Sequence, residues 1–198
     1  MLAIYEVFQM LDLLRQSFKS IPIVKRGDYY YFVHPVSDGV PLLSAELLEE
    51  IAEYIVERAD LDVDKILTIE AMGIPLATTI SLMTKIPLAI VRKRKYELEG
   101  EVLLSQSTGY SKGELYINGI KKGDRLLIID DVISTGGTLL SLVKALKNIG
   151  ATIVDIFVVI ERGDGVEKLH EEGIKVTTLV RIDVDENGVH LVGDQVGR

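Results

Sequence analysis

The sequence predicts an α/β protein in which a mostly parallel central sheet is flanked by helices, and three observations carry that prediction. A strand-helix-strand pattern runs from Lys65 to Val91: the strand Lys65 to Ile69, a turn at Gly73 and Pro75, a helix to about Thr84, and the strand Leu88 to Val91. The run Arg125-Leu126-Leu127-Ile128-Ile129 is almost wholly apolar, as expected of a strand covered on both faces. A helical stripe of Leu139, Leu142, Val143 and Leu146 then ends at Gly150, and Ile153 to Ile160 returns as a strand, so the unit recurs.

The other elements follow in order. Leu2, Val7, Leu11, Leu14 and Phe18, the last four at spacings of three or four residues, predict an amphipathic helix from Leu2 to about Ser20. Arg26-Gly27-Asp28 separates two short aliphatic and aromatic runs, which reads as a hairpin. Ser44 is placed to cap a helix reaching about Ala59, with Leu47, Leu48, Ile51, Ile55 and Val56 on its buried face. Between Val91 and Lys122 two short alternating strands bracket residues 106 to 113, a polar loop with two glycines suited to a lid. A short helix is expected from Gly165 to Glu172 and a last core strand from Val176 to Ile182. The chain reads as one domain over 1–198, with a core at 60–182 and a hood over 1–40; 183–198 finishes the hood or an interface.

Composition narrows the function. In 198 residues, 47% hydrophobic side chains supply a sizeable core, and a net charge of -8 disfavours nucleic acid as a partner. The absence of cysteine excludes disulfides, iron-sulfur centres and thiol nucleophiles. His34, His170 and His190 are too scattered for a zinc site. Glu6, Asp12 and Arg15 interrupt the apolar N-terminal stretch, so no membrane span or secretion signal is expected, and the protein is read as cytoplasmic.

The segment Ile128-Ile129-Asp130-Asp131-Val132-Ile133-Ser134-Thr135-Gly136-Gly137-Thr138 carries the strongest chemical signal. It sets two carboxylates at the end of a buried strand, then a glycine-rich turn, then a helix start, at the sheet edge where ligands bind. Successive backbone N–H groups and hydroxyls from Thr135 to Thr138 suit a phosphate at the positive end of the helix. Asp130 and Asp131 suit sugar hydroxyls. A phosphate beside a diol is a ribose 5-phosphate.

This segment resembles the 5-phosphoribosyl-1-pyrophosphate (PRPP) signature of the type I phosphoribosyltransferases. The order of Glu70 to Ala77 after one strand and Val91 to Lys95 after the next resembles that family through most of the chain. The whole sequence looks most like the archaeal hypoxanthine/guanine members, which themselves resemble adenine phosphoribosyltransferases. The resemblance implies the family fold and a homodimer. It also implies direct attack of a purine on PRPP, with Mg2+ carried by the diphosphate rather than held by direct protein ligands. Residue by residue, it places the ribose hydroxyls and catalytic field on Asp130 and Asp131, and the 5-phosphate on Ser134, Thr135, Gly136, Gly137 and Thr138. Pyrophosphate falls to Ala71, Met72 and Gly73, with Arg92 and Lys93, and the lid contacts to Tyr110, Ser111 and Lys112. The base falls to Ile23, Val24 and Lys25 under a hood that includes Tyr29 to Phe32. Ser134 departs from the pattern: many six-oxopurine members carry aspartate there, facing purine N7. Hypoxanthine with guanine is the first substrate reading, adenine the second, and a purine-responsive regulator on the same fold the third.

Overall fold

A computed structural model of the chain describes residues 11–19, 21–27, 29–107 and 112–193. Helix α1 (Asp12–Ser17) is the second half of the predicted first helix, with Leu11, Leu14 and Phe18 buried. Strands β1 (Ile23–Arg26) and β2 (Tyr29–Phe32) pair antiparallel, Ile23 opposite Phe32 and Arg26 opposite Tyr29, closing the expected hairpin.

A one-turn helix, α2 (Pro35–Asp38), follows where none was expected, because four residues carry no periodicity. Its N-cap is His34, whose Nδ1 accepts the Val36 amide at 3.1 Å. That acceptor role leaves the ring proton on Nε2, 2.7 Å from Ser17 Oγ. The imidazole is fully buried and stacks on Phe18 with ring centroids 4.2 Å apart. Histidine here is thus a structural peg between α1 and the hood. Burial pushes its pKa down to about 4, against a weaker opposing pull from Asp38. A depressed histidine pKa stabilises the fold fully above the unfolded value of 6.5, and that contribution is lost as pH falls toward 4. Accordingly His34→Ala is expected to cost about 2–3 kcal/mol at pH 7. In thermal melts its deficit against wild type narrows at pH 4.5, and an equal deficit at both pH values would refute this account.

Helix α3 (Ala45–Val56) starts as predicted: the Leu47 amide donates to Ser44 Oγ at 3.2 Å. Strand β3 (Lys65–Ile69), helix α4 (Gly73–Thr84) and strand β4 (Leu88–Val91) form the first strand-helix-strand unit. An antiparallel pair, β5 (Val102–Ser107) and β6 (Lys112–Ile117), stands apart from the main sheet. Then come β7 (Arg125–Ile133), α5 (Gly137–Ile149), β8 (Thr152–Glu161), α6 (Gly165–Glu171), β9 (Thr177–Asp185) and β10 (Gly188–Leu191).

The main sheet has the order β10-β9-β8-β7-β3-β4 and is parallel except for β10. Alternate residues of β7 feed two cores. Leu127 and Ile129 pack with Ile51, Leu76 and Ile80, whereas Leu126 and Ile128 pack with Leu142, Val143 and Leu146. Each such side chain contributes about 1.5–3 kcal/mol by leaving water, which explains the unbroken apolar run. β9 runs three residues past the expected Ile182 and turns back as β10, so this stretch is first a sheet edge. It also meets the hood: Val189 and Leu191 share a cleft with Phe18, Ile21 and Ile23. No helix among the described residues is long and apolar enough to cross a membrane.

Connections from β3 to β4 and from β7 to β8 lead away in opposite directions from the adjacent pair β3 and β7. The C-terminal ends of these two strands therefore border a crevice of the kind that holds ligands in open α/β sheets.

Candidate active site

At that crevice β7 continues through Ile133, so Asp130 and Asp131 lie within the strand and are held by its ladder, rather than at its end. Ser134 and Thr135 make the turn, Gly136 adopts φ +75°, and α5 begins at Gly137. All of Asp130, Asp131, Ser134, Thr135, Gly136, Gly137 and Thr138 line one cavity of about 480 Å³. That volume suits a small phosphorylated metabolite.

The turn is braced from outside by the segment after β8. The Gly165 amide donates to the Ser134 carbonyl at 2.8 Å, and the Arg162 amide to that of Ile133 at 2.9 Å. A Cβ on Gly165 would fall 2.5 Å from the Ser134 oxygen and 2.6 Å from the Gly136 nitrogen; one on Gly136 would fall 2.8 Å from the Gly165 oxygen. Two glycines thus let two stretches of backbone touch, which fixes the curve of the turn.

Both carboxyls titrate above the ordinary carboxylate range. Burial is the main cause at each; the neighbouring Asp131 adds to it for Asp130, while hydrogen bonds from Asp130 and from the Asp131 and Val132 amides oppose it at Asp131. The Asp131 amide also donates to Asp130 Oδ1 at 3.1 Å. A pair reluctant to ionise in a recess is poised to stabilise a cation that arrives there.

Across the crevice, the Glu70–Ala71 peptide is cis and leads into Met72 and Gly73. A Cβ on Gly73 would fall 2.1 Å from Thr68 Oγ1 and 3.1 Å from Asp130 Oδ1, so this glycine brings the two loops together. Met72 reaches the hood, its Cε lying 3.6 Å from where a Cβ on Gly39 would stand. Arg92 is paired with Glu70 at 2.5 Å, and the Lys93 amide donates to the same carboxylate at 2.8 Å. Ala71, Met72, Gly73, Arg92 and Lys93 therefore flank the cavity without lining it.

The hood corrects one expectation. Ile23, Val24 and Lys25 do not line the cavity; Arg26, Tyr29, Tyr31, Phe32 and Ser37 do. Ile23 packs instead against the core, Val24 is exposed, and Lys25 lies over the Tyr30 ring. Tyr31 Oη donates to Asp38 Oδ1 at 2.6 Å and Ser37 Oγ to Asp38 Oδ2 at 2.7 Å, a knot at the cavity wall. Burial, followed by the Asp38 contact, pushes the Tyr31 phenol up to about 12. Arg162 joins the wall from the turn after β8, the strand that also contributes Val158, and in the sequence only its place after a core strand recommends it. Tyr110 and Ser111 lie outside the described residues, and Lys112 opens β6 opposite Ser107. Among the described residues no three His, Asp or Glu side chains are grouped to hold a metal.

Comparison with known proteins matches this arrangement. Residues 42–192 fit the model of the phosphoribosyl transferase domain. A protein of Methanohalophilus mahii named hypoxanthine/guanine phosphoribosyltransferase is 64% identical over 185 residues, 93% of this chain and 97% of the relative. Its namesake from Methanosarcina acetivorans is 63% identical over 189 residues, 94% of this chain and all of the relative. Among solved structures, adenine phosphoribosyltransferase from Thermoanaerobacter pseudethanolicus superposes with a TM-score of 0.70 at 22% identity, covering 85% of this chain and 99% of that one, a likeness of fold. Signature, crevice and relatives agree, and the chain belongs to the phosphoribosyl transferase domain family.

Proposed function

We propose that the protein is a purine salvage enzyme that transfers the 5-phosphoribosyl group of PRPP to hypoxanthine and guanine, giving IMP or GMP and pyrophosphate. The observation that carries this reading is the single cavity that joins a phosphate-sized backbone turn, a buried carboxylate pair and an aromatic hood. The names of relatives above 60% identity support the six-oxopurines among possible bases.

In this reading the amides and hydroxyls of residues 134–138 seat the 5-phosphate at the start of α5. Asp130 and Asp131 accept from the ribose hydroxyls and place negative field beside the anomeric carbon, where positive charge develops as the pyrophosphate bond lengthens. The purine ring nitrogen forms the new bond to that carbon, pyrophosphate leaves with the old bonding pair, and the nitrogen's proton passes to solvent. Ala71, Met72 and Gly73 offer amides to the leaving pyrophosphate, and Lys93 supplies charge. Arg92 joins it once the Glu70 pair opens.

The donor set suits Mg2+: Asp130 and Asp131 offer hard carboxylate oxygens beside the place of the diphosphate, and Mg2+ is commonly held by one or two carboxylates together with substrate oxygens and water. Such an ion would neutralise the diphosphate as it departs. We propose also that the enzyme works in the cytoplasm as a homodimer, which sedimentation tests against the 21.9 kDa monomer mass.

The test is product formation from hypoxanthine, guanine, xanthine, adenine and orotate with PRPP, with Mg2+ or with EDTA. IMP and GMP are expected to dominate, with turnover lost in EDTA. Preferential AMP formation would make the adenine reading correct, in line with Ser134, which brings no negative charge to the base. PRPP binding without turnover of any base would instead indicate a regulator.

A further inference from the structure

Arg162 stands at the end of β8 and has no carboxylate partner among the described residues, whereas its neighbour Glu161 is held by Thr178 and Arg181. The Arg162 guanidinium turns to the hood instead. Nη1 bonds the Tyr29 hydroxyl, Nη2 donates to the Tyr30 carbonyl at 2.7 Å, and the planar group lies 4.1 Å from the Tyr29 ring centroid and 5.7 Å from that of Phe32. Its own backbone belongs to the turn that supports the phosphate loop, through the Arg162 and Gly165 amides.

We propose that Arg162 is a positioning residue that fastens the aromatic hood at its working distance from the phosphate loop, and so sets affinity for the base. The inference rests on the reading that the hood covers a purine. Physically, β1 and β2 form a two-stranded ribbon that shares no strand pairing with the main sheet; Ile23 and Phe32 seat it on the core by non-directional apolar packing, which leaves the orientation of its cavity-facing rings to a directional contact. A fork of two hydrogen bonds with a stacked guanidinium supplies direction as well as attraction, whereas a lysine offers only a point charge. The phosphate loop does not need the side chain: its support comes from the Arg162 and Gly165 backbone. Loss of the guanidinium should therefore be felt by one substrate and not by the other.

The test is steady-state kinetics on the full chain, with PRPP and hypoxanthine varied in turn, for wild type, Arg162→Ala, Arg162→Lys and Tyr29→Phe. Loss of charge-assisted hydrogen bonds predicts a rise in hypoxanthine KM of roughly 10- to 100-fold for Arg162→Ala, with PRPP KM within about threefold of wild type. Arg162→Lys recovers part of the loss, and Tyr29→Phe, which keeps the rings and the charge, gives a smaller rise confined to the base. Equal rises for both substrates, or an unchanged hypoxanthine KM, would overturn the proposal. Should Arg162→Ala fail to fold, Tyr29→Phe carries the same decision. Failure of wild type to use hypoxanthine at all would strike the functional reading instead, a result visible before any variant is made.

Discussion

Asp131→Ala is expected to lower kcat/KM by at least about tenfold, and Asp130→Asn by about 100-fold or more, while Asp130→Asn melts higher than wild type. The two outcomes share one cause. Buried beside each other, the carboxyls titrate above their ordinary range, so at neutral pH the folded state resists a charge that the unfolded chain carries freely. Because the folded pKa is raised, stability relative to neutral pH is recovered as pH falls through it, and the difference vanishes below the unfolded value of 3.8. An amide of the same shape removes the conflict, and a gain of roughly 1 kcal/mol corresponds to about 2–4 °C in a chain of this size. Melts at pH 7.5 and pH 3 check the sign: the gain should be present at the first and absent at the second. Unchanged kinetics in a folded Asp131→Ala protein would remove the carboxylate from the proposed chemistry.

Gly165→Ala is the second change with a large expected effect, although Gly165 lies in no recognisable ligand motif. Its new methyl would stand 2.5 Å from one backbone atom of the phosphate turn and 2.6 Å from another, and neither can swing aside as a side-chain end can. Overpacking of this kind costs about 1–3 kcal/mol. Here the relief comes from moving the Ser134–Gly136 turn, so KM for PRPP should rise at least about tenfold. Gly173→Ala is the control: it has φ +71° but no atom within 4 Å of the added methyl. It should lose about 1–2 kcal/mol of stability from the backbone conformation and leave KM for PRPP as it was. If both variants behave alike, contact with the phosphate turn is not what matters at Gly165.

Where residues close in sequence cooperate, the sequence was readable. The apolar run into Asp130-Asp131 and the glycines before α5 announce strand, site and helix in eleven consecutive positions, and Ser44 announces α3 through its own hydroxyl. Reading failed where the partner is remote. The Arg26-Gly27-Asp28 turn between two apolar and aromatic runs marks a hairpin but does not tell which strand faces the ligand, and the hairpin side chains on the wall proved to be those of β2 together with Arg26. Burial of His34 depends on Phe18 and Ser17 from another element, and four residues of β10 pair only because β9 precedes them. Arg162 meets Tyr29 across 133 positions, a distance at which no local pattern carries information.

That span also bears on the order in which the molecule is made. The hood is synthesised early, yet its fastening on the sheet waits for the end of β8, after β7 and α5 have been added. Contacts of such long separation form slowly, because the intervening loop must be closed first. A nascent chain halted before residue 162 would lack both the guanidinium that holds the hood and the Arg162 and Gly165 amides that brace the phosphate turn, so the two ends of the cavity wait for one and the same segment.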